Sequence, residues 1–390
     1  MTKILFITHT AAPSGAEIAT ARLARALRDL GVYVAVAYAQ DGAMAQRMRA
    51  DGFDTWILSH TFDSRTMTIA DHSPTRLLAG TVGLARIGWA LGDVATESGA
   101  TVMIAESSKA LLMGAVAARR AKIPLVWHVH DRVSPEYFGH VLAPIVRILG
   151  RLLSCGYIAN SRSTMSSLLP RRRALVAYPG VESAPIAARA EQRDPAETIV
   201  TVVGRLTAWK GQDVFLHAAA NTTVRPSHIY LVGGTFFGEE SYHKHLEQLS
   251  DELGLPVTFT GHVDDPEEYM RRADILVHCS VLAEPFGQVV VEGMRAGCAV
   301  IASRPGGPTE IIESGVNGLL VEGGDRRALT AALDTLIGDR ELRCRLAAAG
   351  IRRAVCFDIA ESARAVAHFL RAVGAPSDTE VSAAWSRNAG

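Results

Sequence analysis

The stretch Asp274-Ile275-Leu276-Val277-His278, continued by Ala283-Glu284-Pro285-Phe286-Gly287-Gln288-Val289-Val290-Val291-Glu292-Gly293-Met294 and closed by Gly297, decides how the rest of the chain reads. A short apolar run of strand length enters a Pro/Gly turn, and the turn opens a helical pattern of about ten residues. A strand leading through a tight turn into a helix presents backbone N–H groups and the positive end of the helix dipole, which together make a seat for an anion such as phosphate. Glu284 stands before the turn and Glu292 inside the helix, eight residues on. Two carboxylates beside an anion seat repel a bare phosphate, so the pattern suits a ligand that brings hydroxyl donors with its phosphates, as a sugar nucleotide does. A turn glutamate and a solvated helix glutamate with no ligand would give the same pattern, and the surroundings must discriminate.

Upstream, the same alternation of strand, glycine-bounded turn and helix recurs. Ile199-Val200-Thr201-Val202-Val203 runs into Gly204-Arg205-Leu206-Thr207-Ala208-Trp209-Lys210-Gly211 and a helix to Ala220. Two cations in a turn that opens a helix read as a second anion site, with Arg205 a fork of donors and Lys210 a point charge, or as exposed basic residues of a surface turn. Strands are expected at His228–Val232, Val257–Thr260, Asp274–His278, Ala299–Ala302 and Gly318–Val321, and helix from Asp339 onward. Gly306-Gly307-Pro308-Thr309-Glu310 lies between a strand and a helix, where backbone can approach a ligand closely.

The first half repeats the theme. Lys3-Ile4-Leu5-Phe6-Ile7-Thr8 meets the small-residue loop Thr8–Glu17, then a helix with Ala19, Leu23, Leu27 and Leu30 on one stripe, then Tyr33-Val34-Ala35-Val36-Ala37. This opens a parallel α/β sheet. The loop is neither G-x-G-x-x-G nor G-x-x-x-x-G-K-[ST], so neither a dinucleotide fingerprint nor a P-loop is expected. Residues 41–100 are harder to read: a polar surface loop at 63–73, then a helix over 77–97. Further on, Leu125-Val126-Trp127-His128-Val129-His130-Asp131 is a strand with polar residues at its C-terminal end, the end at which open α/β sheets bind ligands. His128 and His130 share a face, either as core histidines or as site residues. Leu142–Leu153 reads as a helix carrying Arg147 and Arg151, followed by Arg171-Arg172-Arg173; a solvated basic face and an anionic-membrane or acceptor patch both fit.

Composition narrows the classes. With 390 residues, 48% apolar and 21% charged, the chain has the length for two or three globular domains. It holds no run of 18 apolar residues, and its N-terminus lacks the pattern of a signal peptide, so a cytoplasmic protein is expected. Five cysteines, 155, 279, 298, 344 and 356, show no C-x-x-C spacing and read as reduced thiols rather than a metal site. Zero net charge gives no indication of nucleic-acid binding. It hides a division: residues 1–183 hold 20 Lys+Arg against 13 Asp+Glu, hence +7, and residues 184–390 hold 20 against 27, hence −7. The basic half is the one expected to meet an anionic membrane, peripherally at its inner face, or an anionic acceptor.

Ser14-Gly15-Ala16-Glu17, His130-Asp131, Gly204-Arg205 through Lys210-Gly211, and Glu284 through Glu292 form an ordered set. With Gly306-Gly307-x-x-Glu310 and Asn317-Gly318-Leu319-Leu320-Val321, it resembles the retaining, GT-B-fold glycosyltransferases of group 1, or family 4. The resemblance implies two Rossmann-like parallel-sheet domains facing a cleft. An acceptor-side domain is expected over 1–183, a linker over 184–198, a nucleotide-sugar-binding domain over 199–357, a helix over 358–373 returning to the first domain, and a disordered tail over 374–390. It implies that Arg205 and Lys210 neutralise the donor diphosphate, that Glu292 holds the ribose hydroxyls, and that Glu284 with the amides of Phe286 and Gly287 reads the transferred sugar. Gly15 would bring backbone to the phosphate, and His130 would contact the sugar. Family members commonly have two glycines in the first loop; Ser14 replaces the first.

The expected reaction is transfer of a sugar from a nucleoside diphosphate sugar to a hydroxyl acceptor, a polysaccharide, glycolipid or small molecule, in cell-envelope polysaccharide synthesis. No cofactor beyond the donor is expected. With no D-x-D in a metal-holding place, and Asp264-Asp265-Pro266-Glu267-Glu268 reading as a helix start, no metal is required. Fixed cations fit this chemistry because negative charge builds on the leaving diphosphate. A glycoside hydrolase would also use two carboxylates but would not need Arg205 and Lys210. A sugar-nucleotide epimerase of the same fold is a nearer rival, and a catalytically silent sugar-nucleotide binder is a third.

Overall fold

Strands of three to six residues alternate with helices along the described residues, and the strands pair in parallel into two sheets. The computed structural model describes residues 2–58, 74–171, 173–182, 197–235 and 238–374. The loop expected at 63–73 falls outside them, as do Arg172, linker residues 184–196 and the tail from 375 on. The chain divides into two units, one comprising residues 1–160, 164–178 and 360 onward, the other residues 161–163 and 179–359.

In the first unit the elements are β1 (Lys3–Thr8), α1 (Gly15–Asp29), β2 (Tyr33–Tyr38), α2 (Ala43–Ala50), β3 (Asp54–Ile57), α3 (Pro74–Glu97), β4 (Val102–Ala105), α4 (Ser108–Ala121), β5 (Leu125–Val129), α5 (Pro135–Leu153), β6 (Gly156–Ala159), α6 (Arg162–Ser166) and β7 (Ala174–Val176). The sheet order is β3-β2-β1-β4-β5-β6-β7. Strands β1, β4, β5 and β6 are buried along almost their whole length, as strands covered on both faces by helices must be. Order reverses between β1 and β4, so the loops leaving those two strands diverge and open a crevice at their C-terminal ends.

The second unit has β8 (Ile199–Val203), α7 (Gln212–Ala220), β9 (His228–Val232), α8 (Glu240–Glu252), β10 (Val257–Gly261), α9 (Pro266–Arg272), β11 (Ile275–His278), α10 (Gln288–Arg295), β12 (Ala299–Arg304), α11 (Pro308–Ile311), β13 (Leu319–Glu322), α12 (Arg326–Gly338) and α13 (Arg340–Ala354). Its order is β10-β9-β8-β11-β12-β13, with the reversal between β8 and β11. A last helix, α14 (Ile359–Gly374), belongs with the first unit from Ala360 on.

The strands expected in the second unit are present within one or two residues of their predicted limits. Elements that the sequence pattern does not reveal are α2, β3, β7, α8 and α12. Strands β3 and β7 are the two edges of the first sheet, and their half-exposed residues lack the apolar run that marks an inner strand. Helix α5 begins seven residues before the expected Leu142, because Gly139 (φ 74°, ψ 163°) breaks it into two pieces and hides the first from a periodicity count.

Helix α5 lies against β5 with no room to spare. A Cβ on Gly150 would overlap the indole of Trp127, itself fully buried and edge-on to Tyr157 with ring centroids 6.0 Å apart. Gly150→Ala should therefore destabilise the chain by about 1–3 kcal/mol, the usual cost of overpacking a filled core. Urea denaturation checks this, and an unchanged midpoint would mean that α5 can shift off the sheet without loss.

Candidate functional site

The turn after β8 and the turn after β11 leave adjacent strands in opposite directions, and their side chains meet in the second unit. Lys210 Nζ lies 2.8 Å from Glu284 Oε2, although the residues are 74 apart in sequence. Ser280 Oγ donates to the same oxygen at 2.9 Å. His278 Nε2 is 3.3 Å from it. The backbone amide of Ser303 donates to His278 Nδ1 at 3.4 Å, so the ring proton sits on Nε2 and donates to Glu284. Burial alone would raise the Glu284 pKa, but the Lys210 charge and the His278 bond outweigh it and hold the carboxyl well below its ordinary range. Among the described residues these three bonds all fall on Oε2. The ammonium of Lys210 also sits 4.4 Å over the Trp209 ring, and its three N–H groups exceed the single bond to Glu284.

Two glycines make this approach possible. Gly211 has φ 70°, and a Cβ there would overlap the carbonyl of Cys279. A Cβ on Gly307 would strike the backbone of Phe286. The Gly307 amide instead donates to the Glu284 carbonyl at 2.8 Å, tying the segment after β12 to the turn that carries the carboxylate. Cys279 behind the site is buried, and burial pushes its thiol up to about 12, so it is no nucleophile.

The other expected residues of this unit are distributed around that pair. Arg205 Nε is 3.5 Å from Glu239, an ion pair exposed to about a third, and the Arg205 carbonyl accepts from Gln212 Nε2 at 2.8 Å. Phe286 is buried, its ring 5.8 Å from that of Phe357, so only its backbone is available to a ligand. Gly287 (φ 94°) caps α10, and Glu292 is half-buried on that helix. In the segment after β12, the Glu310 carboxylate accepts from the amides of Arg162 and Ser163 at 2.9 and 2.8 Å.

In the first unit a second cluster forms at the C-terminal ends of β4 and β5. Glu106, 95% buried, lies 2.7 Å from His130 Nε2 and 3.1 Å from His128, and the Thr20 hydroxyl donates to it at 2.5 Å. Asn160 Nδ2 donates to the His130 carbonyl at 2.7 Å. Glu17, from the Ser14-Gly15-Ala16-Glu17 loop, faces the same groups; burial raises its pKa, and the Ser14 hydroxyl donates to it. Gly15 is the first residue of α1. Burial opposes ionisation of Glu106, yet the two imidazoles bring it down to about 2. For His130 burial lowers the pKa, but the Glu106 bond and charge prevail and raise it, whereas burial prevails at His128 and lowers it. The cluster thus favours the carboxylate of Glu106, the charged form of His130 and the neutral form of His128.

Among the described residues, Glu106, His128 and His130 bring three potential metal-ligand atoms within 4.8 Å of one another. The separations of 2.7 and 3.1 Å are hydrogen-bond lengths. The sequence pattern names His130 but not Glu106, Ser280 or the role of His278. The available signal is an acidic residue ending a buried strand next to β1, a costly position without partners.

Comparison with known proteins places these sites in a family. Residues 185–353 match the family described as "Glycosyl transferases group 1", and residues 14–166 match "Glycosyl transferase 4-like domain". The chain belongs to the group 1 glycosyltransferases, with the two parallel-sheet units of the GT-B class. It is similar to the lipopolysaccharide core biosynthesis glycosyltransferase LpsD of Rhizobium meliloti, 38% identical over 43% of this chain and 47% of that one. A D-inositol 3-phosphate glycosyltransferase of Rhodococcus opacus is 34% identical over 42% of this chain and 38% of that one. The chain spans about half the length of the curated relatives it matches. Among solved structures, Anabaena Alr3699/HepE in complex with UDP-glucose superposes with a TM-score of 0.79 at 27% identity, covering 95% of this chain and 100% of that one.

Folding lowers the Glu106 pKa from 4.5 to about 2, so as pH falls the unfolded chain takes up that proton first. The stability this carboxylate contributes is complete above about pH 4.5 and is lost progressively toward pH 2. Glu106→Gln should flatten the fall of the urea midpoint between about pH 5 and 3. Equal slopes in parent and variant would show that Glu106 does not carry the charge in the folded state.

Proposed function

We infer that the chain transfers a sugar from a nucleoside diphosphate sugar to a hydroxyl acceptor with retention at the anomeric carbon. The observation that carries this is Glu284: a buried carboxylate with three described donors on one oxygen, beside a lysine with N–H groups to spare. A hydroxyl-bearing sugar attached to a phosphate matches that pair of opposite charges. Lys210 and Arg205 would stabilise the leaving diphosphate, where negative charge grows as the sugar–phosphate bond breaks. Glu292 would hold the ribose hydroxyls, with the backbone of Phe286 and Gly287 beside the sugar. In the first unit His130, whose charged form the Glu106 contact favours, would donate to the sugar, and Gly15 would approach the phosphate through its backbone. The role of the residues is therefore electrostatic and positional, and no metal is needed in it.

The similarity at 27% identity to a protein bound with UDP-glucose supports a UDP-sugar as the donor to try first. The relatives' names suggest an acceptor with sugar or polyol hydroxyls, such as the saccharides of the cell envelope.

Steady-state kinetics with UDP-glucose and anomer-resolved NMR of the product test the reading. Lys210→Ala should lower kcat by on the order of 10²–10³, the usual effect of removing one preorganised donor to developing charge, with a smaller change in donor KM. Glu284→Ala should cut turnover while sparing UDP affinity. Glu292→Ala should weaken UDP itself by about 1.5–3 kcal/mol for each charged hydrogen bond lost. Near-parental kcat in folded Lys210→Ala and Glu284→Ala, or inversion at the anomeric carbon, would overturn the assignment. Activity should also survive EDTA unchanged; loss on chelation with recovery on adding a divalent ion would refute the metal-independent mechanism.

A further inference from the structure

Helix α5 is apolar on two opposite sides. One side faces the core of the first unit: Ala143, Val146 and Gly150 are buried, and Leu142 and Leu153 are packed partly beneath them. The other side carries Val141, Ile145, Ile148 and Leu152, exposed by 76%, 45%, 50% and 70%. Their spacing of four, three and four residues lines them into one stripe. A surface helix normally places polar side chains there, and a helix apolar all round is normally covered all round.

Beyond Glu136 in its first turn, the helix and the chain that follows it are basic. From Tyr137 to Val181 the chain has six arginines and no aspartate or glutamate. Those with described positions in this unit cluster beside the helix. Arg147 Nε donates to the Val133 carbonyl at 2.8 Å, which leaves its charge at the flank of the helix. Arg151 donates to the Pro170 carbonyl, Arg171 donates to the Arg151 carbonyl, and the Arg171 guanidinium lies 5.6 Å over the Tyr157 ring. The basic residues named from sequence as a patch are thus partly committed to backbone carbonyls, and the open surface between them is hydrocarbon.

We propose that α5 lies in the surface of an anionic lipid bilayer, its Val141-Ile145-Ile148-Leu152 stripe entering the boundary between headgroups and acyl chains and its arginines pairing with lipid phosphates. Charge decides the occupant: a protein partner with a mixed surface would leave the arginines without complementary groups, whereas a leaflet rich in phosphate offers negative charge on every side of the stripe. The stripe spans about 16 Å at 1.5 Å per residue, which suits a helix lying in the interface plane. Among the described residues no helix is long and apolar enough to cross a membrane, so the contact is peripheral. Gly150, which seats α5 against Trp127, keeps the stripe rigidly presented. The inference does not rest on the transferase reading, because vesicle binding and donor binding are measured separately.

The test is co-sedimentation of the full chain with vesicles of phosphatidylcholine alone and of phosphatidylcholine with phosphatidylglycerol. The parent should bind the anionic vesicles and leave the neutral ones. The double variant Ile145→Ser/Ile148→Ser should lower that partition coefficient by about tenfold or more, as expected for losing two apolar anchors, with unchanged thermal midpoint and unchanged UDP affinity. Arg151→Ala/Arg171→Ala should remove most of the salt-sensitive part of binding while leaving the fold intact. Binding absent in the parent, or undiminished in the serine variant, would overturn the proposal. So would a dimer, detected by light scattering, that the serine substitutions dissociate, since the stripe would then be covered by a second copy.

Discussion

A parallel sheet can be built only with crossover connections, and this constraint governs everything else in the molecule. Each crossover returns the chain to the same edge, so every strand ends on one side of its sheet. Where strand order reverses, between β1 and β4 and between β8 and β11, neighbouring strands send their loops apart and leave a crevice. Both polar clusters sit there. Lys210 follows β8 and Glu284 follows β11; Glu17 follows β1, Glu106 follows β4 and His130 follows β5. No local sequence preference could bring together residues 74 positions apart, but the reversal does so as a matter of topology.

The two clusters handle buried charge in the same way. A carboxylate withdrawn from water is expensive unless partnered. Glu284 is compensated by Lys210, His278 and Ser280, and Glu106 by His130, His128 and Thr20. Each therefore stays ionised against the pull of burial. Such groups require no reorganisation when a ligand arrives, which is the property an electrostatic catalyst of group transfer needs. They differ in how the described bonds fall: on one oxygen at Glu284, and on both oxygens at Glu106.

The first unit adds a feature of another kind. Its helix α5 meets the core with one apolar face and solvent with another, and from Tyr137 to Val181 the chain has no acidic residue. Burial against Trp127 accounts for the first face alone. Among the described residues the second faces solvent, with Arg147 and Arg151 on the same helix.

Much of this is legible in the residues themselves. The inner strands β1, β4, β5, β8 and β11 are apolar runs bounded by glycine, proline or polar turns, so alternation with helices is enough to indicate two parallel sheets. The edge strands β3 and β7 are not legible, because their short, half-exposed runs lack the apolar continuity of an inner strand. Lys210, Glu284, Glu292 and His130 can be named because each adjoins a turn that follows a strand. What sequence does not supply is pairing. Glu106 looks like any acid at a strand end until Thr20, His128 and His130 converge on it, and Lys210 and Glu284 carry separate tasks in the sequence pattern although they share a hydrogen bond in the fold. The exposure of Val141, Ile145, Ile148 and Leu152 is equally hidden, since apolar residues recur on both sides of the helix and periodicity does not say which side is covered. Local periodicity and turn chemistry determine which elements form; only packing decides which face is covered and which distant charges meet, because both depend on contacts whose partners lie far away along the chain.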